Sequence, residues 1–168
     1  DGPIGGGETS RTTAHLTNAM DDRFYTLESL HGEEGVRLIA ESHGAAINRI
    51  QQIVALEDID CDFERLDGYL MSRAPGVTGD LEREAEAAQR ASLTDVSLVE
   101  RAPIADYESG TALRFPGQGM FHPLRYLAGL ARVADAKVRP TGVVHAHPAD
   151  LGPGFLPGVH APVGERLR

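Results

Sequence analysis

Apolar and polar residues alternate in distinct patterns along the 168-residue chain. Over residues 26–58, Val36, Ile39, Ala40, Ile47, Ile50 and Val54 recur at spacings of three and four or their sums, the period of one face of a helix. An amphipathic helix is expected there, with Glu33, Glu34, Arg37, Glu41, Asn48, Arg49 and Gln52 as its solvated side. Residues 61–66 alternate instead, Asp67-Gly68 carries turn chemistry, and Tyr69-Leu70-Met71 resumes the apolar pattern, which predicts a β-hairpin. Thr78 is a candidate cap for a second helix reaching Ala91, with its acids placed early, where the positive end of the helix dipole favours them. Short strands are expected over 96–100 and 112–115, and a helix over 123–134, Pro123 suiting a first helical turn. From Lys137 the periodicity stops. Pro140, Pro148, Pro153, Pro157 and Pro162 are interleaved with glycine, so residues 137–168 are expected to form a poorly ordered tail.

Length permits a sizeable core without disulfides or metals, and no apolar run approaches the roughly 20 residues of a membrane helix. A formal charge of −9 argues against attraction to phosphate backbones, so nucleic acid is excluded as an expected partner. The single cysteine, Cys61, has no partner for an internal disulfide, which fits a reducing compartment, and the cytoplasm is the expected location. The chain opens on Asp1-Gly2-Pro3-Ile4, without an initiator Met or a basic-then-apolar leader; it is expected to be an internal piece of a longer protein.

Chemistry is concentrated near the start. Gly5, Gly6 and Gly7 supply unhindered backbone, and Thr9, Ser10, Arg11, Thr12 and Thr13 follow with hydroxyls and one guanidinium, a loop expected to feed a short helix. Such groups suit an anion. The same residues also suit a plain helix start, Thr9 or Ser10 capping and Arg11 pairing with a surface acid.

The run from Gly5 to Thr17, with Gly6, Gly7, Thr9, Ser10, Arg11, Thr12, Thr13 and His15 at its centre, resembles the second flavin-contacting loop of FAD-dependent oxidoreductases of the D-amino-acid oxidase and glycine oxidase superfamily. A second run, Ala112-Leu113-Arg114-Phe115-Pro116-Gly117-Gln118-Gly119-Met120-Phe121-His122-Pro123, continuing to Leu127, is similar to the strand, turn and helix where that family's substrate domain returns to the flavin domain. Similarity covers roughly residues 1–134 and points to the bacterial subgroup whose members often carry a Rieske iron–sulfur domain. The resemblance implies an α/β to α+β fold: over 1–136, part of a Rossmann-like FAD-binding domain with part of a substrate-binding β-sheet domain. It implies FAD as cofactor, and oxidation of a C–N bond in a small amine or amino acid by hydride transfer to it. In the family a Gly-x-Gly-x-x-Gly turn precedes the first loop; none precedes Asp1, so this chain alone is expected to be inactive. A non-catalytic interaction module and a decayed gene product are the alternatives. The composition of 138–168 is that expected of a GC-rich gene read out of frame.

By the same resemblance the hydroxyls and Arg11 surround the pyrophosphate and ribityl chain, and His15 approaches the flavin ring, where imidazole can donate or move a proton. His15 can equally be a packed or solvent-facing helix residue. His122 is read as structural, at a strand end, with the substrate chamber as its other setting. His145, His147, Asp150 and His160 have metal-ligand residue types in a segment with no scaffold for supporting partners, so no metal is expected. Cys61 is read as a small strand residue, and Glu82, Arg83, Glu84, Glu86 and Arg90 as one solvated helix face.

Overall fold

The computed structural model describes residues 5–72 and 78–138. Their order is a 3-10 turn at Glu8–Arg11, β1 (His15–Leu16), α1 (Phe24–Leu56), β2 (Glu64–Met71), α2 (Gly79–Arg90), β3 (Ser97–Val99), β4 (Ala112–Met120) and α3 (Pro123–Val138). Except for Lys137 and Val138, which extend α3, the expected tail lies outside the described residues, and so do the four tail residues with metal-ligand side chains.

The sheet is organised around β4. On one side β4 pairs antiparallel with β2 along its whole length; on the other it pairs with β3 near its start and with β1 at its end. Helices and sheet together meet the mixed class expected from the sequence. A Rossmann-like unit requires parallel strands, and among the described residues every pairing is antiparallel.

The expected hairpin at Asp67-Gly68 is not formed. The chain runs straight through that dipeptide as one eight-residue strand. Two contacts override the local turn signal: Arg114 Nε of β4 donates to Asp67 Oδ2 at 2.6 Å, and Gly68 lies so close to the Gln118 side chain that a Cβ there would sit 2.6 Å from Gln118 Cδ. Strand β4 also runs past the predicted end at 115, because a bulge takes up Pro116 and Gly117. Leu66 faces Gln118 while Gly68 faces Phe115, so β4 carries one residue more than β2; Gly117 adopts φ +74°, and the proline, which has no N–H for the ladder, is accommodated there.

The core forms where α1 and α2 cover Leu113 and Phe115 of β4. Phe24 stacks on Phe115 at 6.2 Å, and Val36, Ala40, Leu81 and the alanines at 85, 87, 88 and 91 fill the space around them. Helix α1 is two helical segments, 24–31 and 33–56, broken at Gly32, whose φ of 71° and ψ of 171° lie in a region essentially reserved for glycine. The first segment is held to α2 by charged groups. Glu84 accepts the Phe24 and Tyr25 N–H groups at 3.0 and 3.4 Å, Arg90 makes two 2.8 Å bonds to Glu28, and Arg83 lies 4.1 Å from the centre of the Tyr25 ring. Glu84 is therefore buried, where the sequence reading placed it on a solvated face. The Arg65 side chain of β2 bonds Asn48 Oδ1, Gln51 Oε1 and the Gly117 carbonyl, fixing the second segment of α1 to the bulge.

Candidate functional site

The two sequence runs that carry the resemblance, separated by most of the chain, meet. After the 3-10 turn, Thr12 and Thr13 extend and Ala14 turns through φ 62°, a left-handed conformation that a residue with a Cβ seldom adopts. This turn lets β1 pair His15 with Met120 and Leu16 with Gly119. The Ala14 carbonyl then accepts the Phe121 N–H at 3.3 Å, and the Cys61 carbonyl accepts the His122 N–H at 2.6 Å. Ahead of the turn, Gly5 (φ +80°) approaches Leu124 so closely that a Cβ would sit 2.6 Å from Leu124 Cδ2.

These contacts border an open hollow of about 340 Å³, lined by Ser10, Thr12 and Ala14 on one side and by Asp62 with residues 120–124 on the other. Ser10 Oγ donates to the Gly7 carbonyl at 3.1 Å, and Thr12 Oγ1 donates to the Thr9 carbonyl at 3.3 Å while accepting the Ala14 N–H. Opposite, the first turn of α3 faces the hollow. The His122 carbonyl accepts the Tyr126 N–H at 3.0 Å, and His122 Nδ1 accepts the Arg125 N–H at 3.4 Å, so one residue caps the helix with both main chain and side chain. The start of a 16-residue helix carries partial positive charge and favours negative oxygen nearby. Asp62, which also lines the hollow, is paired with Arg125 Nη1 at 2.7 Å.

Behind the hollow lies an apolar support. Cys61 is buried, and burial raises its thiol above the ordinary value, which makes it a poor nucleophile. Burial likewise raises the Tyr126 phenol; its ring meets Phe121 edge-on at 5.3 Å.

Of the residues singled out from the sequence, Ser10 and Thr12 line the hollow. Gly6, Gly7, Thr9, Arg11 and Thr13 stand beside it in the same exposed loop, and Arg11 pairs with Glu8 at 3.3 Å with both side chains largely in solvent. His15 is exposed on a strand, not in a helix as its sequence reading had it, because the loop feeds β1 and the next helix starts only at Phe24. His122, read as structural, both caps α3 and faces the hollow. Asp62 was not anticipated. Its sign in the structure, a left-handed φ of 53° that swings the chain toward α3, has no counterpart in the spacing of residues.

Comparison with known proteins supplies the class: residues 1–148 match the FAD dependent oxidoreductase family, to which this chain belongs. It is 34% identical over 125 residues to the Bacillus subtilis (strain 168) protein named "Putative Rieske 2Fe-2S iron-sulfur protein YhfW", a match covering 74% of this chain and 24% of that protein. The chain thus spans about a quarter of its relative's length. No solved structure matches it. None of the helices among the described residues is long and apolar enough to cross a membrane.

The family's cofactor can be tested against the residues present. A volume of about 340 Å³ is near the low end of small-molecule sites, about 300–1,000 Å³, and suits a portion of a dinucleotide. The helix start and the capping imidazole are groups that meet phosphoryl or carbonyl oxygens, and the two hydroxyls, their protons given to the Gly7 and Thr9 carbonyls, offer lone pairs to ligand O–H or N–H groups. The residues fit.

Proposed function

We propose that this chain forms one wall of the FAD site of an oxidoreductase that oxidises a C–N bond in an amine or amino acid, within a longer protein that carries the dinucleotide fingerprint and a Rieske iron–sulfur domain. The reading is supported above all by the convergence of two sequence-distant runs on one hollow through the pairing of His15 with Met120. When bound, FAD would supply the hydride acceptor for this oxidation, the nitrogen losing a proton as the imine forms.

The protein's share is positioning. Ser10, Thr12 and the main chain of Gly6, Gly7, Thr9 and Thr13 provide a polar rim, and the start of α3 provides positive potential opposite it. Arg11 acts as a mobile clamp: an exposed ion pair such as that with Glu8 holds weakly, so the guanidinium can exchange Glu8 for a phosphoryl oxygen. His15, exposed at the end of the loop, is the candidate donor to the flavin ring. We assign the sheet to the substrate-domain part of the enzyme, and the Rossmann-like part to the remainder of the longer protein.

The test uses the protein in its full genomic length. It should purify with flavin absorbance, and Arg11→Ala should weaken FAD binding by about ten- to a hundredfold, the scale of a charge-assisted hydrogen bond, without changing the thermal midpoint of the flavin-free protein. A protein that is colourless and stays so after FAD is added would overturn the reading.

A further inference from the structure

We propose that His122 is a positioning residue for the flavin nucleotide, its Nδ1 capping α3 and its Nε2–H thereby fixed as a donor to an acceptor oxygen of the ligand in the hollow. This inference rests on the proposed FAD site. It begins from an inventory of hydrogens. Ser10 Oγ and Thr12 Oγ1 already spend their protons on the Gly7 and Thr9 carbonyls, so toward the hollow they offer lone pairs. Asp62, an acceptor, is engaged by Arg125. Pro123, first in α3, has no N–H.

A ligand rich in acceptor oxygens therefore needs a donor, and His122 is placed to be one. A neutral imidazole carries its proton on one nitrogen and a lone pair on the other; because Nδ1 accepts the Arg125 N–H, the proton resides on Nε2. Among the described residues Nε2 has no hydrogen-bond partner. The main chain of His122 is fixed by its bonds to Cys61 and Tyr126, and the Nδ1 bond to Arg125 sets the direction of the ring, which stands exposed at the hollow. A lysine or a solvent-exposed serine at this position would offer neither the fixed direction nor the single polarity.

Two variants separate capping from ligand contact. In His122→Asn the shorter amide oxygen still caps the helix, asparagine being among the preferred cap residues, but the second ring nitrogen is gone. In His122→Ala both functions are lost. Using the full-length protein, His122→Asn should retain the thermal midpoint of the parent when both are measured free of flavin, and bind FAD about tenfold more weakly, the scale of one hydrogen bond. His122→Ala should lose both midpoint and affinity. Histidine 15N shifts, with the His122 signal assigned by its loss in His122→Asn, should show Nε2 protonated and Nδ1 bare. If His122→Asn binds FAD as the parent does, His122 is a cap only, and if Nδ1 carries the proton the side-chain cap is itself absent; either result overturns the proposal while the FAD site stands. If the parent itself binds no FAD, the underlying reading falls and this one with it.

Discussion

Glu84 shows how much one residue's setting decides. Only 1% exposed, it serves as the cap that α1 lacks locally, since no side chain at Arg23 reaches the first N–H groups. Loss of water raises its pKa above the ordinary carboxylate value, with the Phe24 and Tyr25 N–H groups and then Arg23 opposing the rise. The folded chain thus binds this proton more tightly than the unfolded chain. Stability follows the difference in bound protons, so Glu84's contribution is greatest at acid pH, below the unfolded value, and declines as pH rises through the folded one. Glu84→Gln keeps an acceptor and removes the ionisation. Its urea midpoint should gain on the parent's as pH is raised from mildly acidic to neutral, and parallel curves would show that Glu84 ionisation is not linked to folding. Glu84→Ala leaves the buried Phe24 N–H and the half-buried Tyr25 N–H without this acceptor and should cost about 2–3 kcal/mol.

At the scale of elements, helices were legible from sequence and strand partners were not. The apolar spacing of Val36, Ala40 and Ile47 marks α1 because a helix face is a local property, and these three are indeed its buried stripe after Phe24. The break at Gly32 left no such trace; glycine in a helix reads as a weak helix former, and its conformation is set by how the first segment is held to α2. Asp67-Gly68 misled for the same reason, its turn chemistry being local and the contacts with Arg114 and Gln118 distant. The site was half legible: Ser10 and Thr12 stood out by composition, whereas Asp62 and the cap at His122 depend on where Cys61 and α3 come to lie. Gly68 offers a direct check. Gly68→Ala pushes a methyl into the buried Gln118 amide, whose Oε1 has no partner among the described residues, and should destabilise by about 1–3 kcal/mol. Gln118→Ala in the same chain should restore part of that loss, a coupling measurable as a double-mutant cycle; strictly additive effects would mean that the two do not touch.

Across the whole molecule, β4 joins everything else. Among the described residues it pairs with all three other strands, places Leu113 and Phe115 in the core, and delivers Met120 to the hollow. Amide exchange should therefore be slowest along β4 and the buried face of α1, and fast in the loop over 5–13, whose side chains lie largely in solvent. Uniformly fast exchange would show instead that the described residues do not form a stable unit without the rest of their protein.

The pairing of His15 with Met120 also sets a schedule for synthesis. A ribosome that has made the hydroxyl-rich loop has made nothing for it to lean on, because a two-residue strand cannot persist by itself. The proposed flavin site is therefore complete only once β4 and the opening turn of α3 have cleared the exit tunnel.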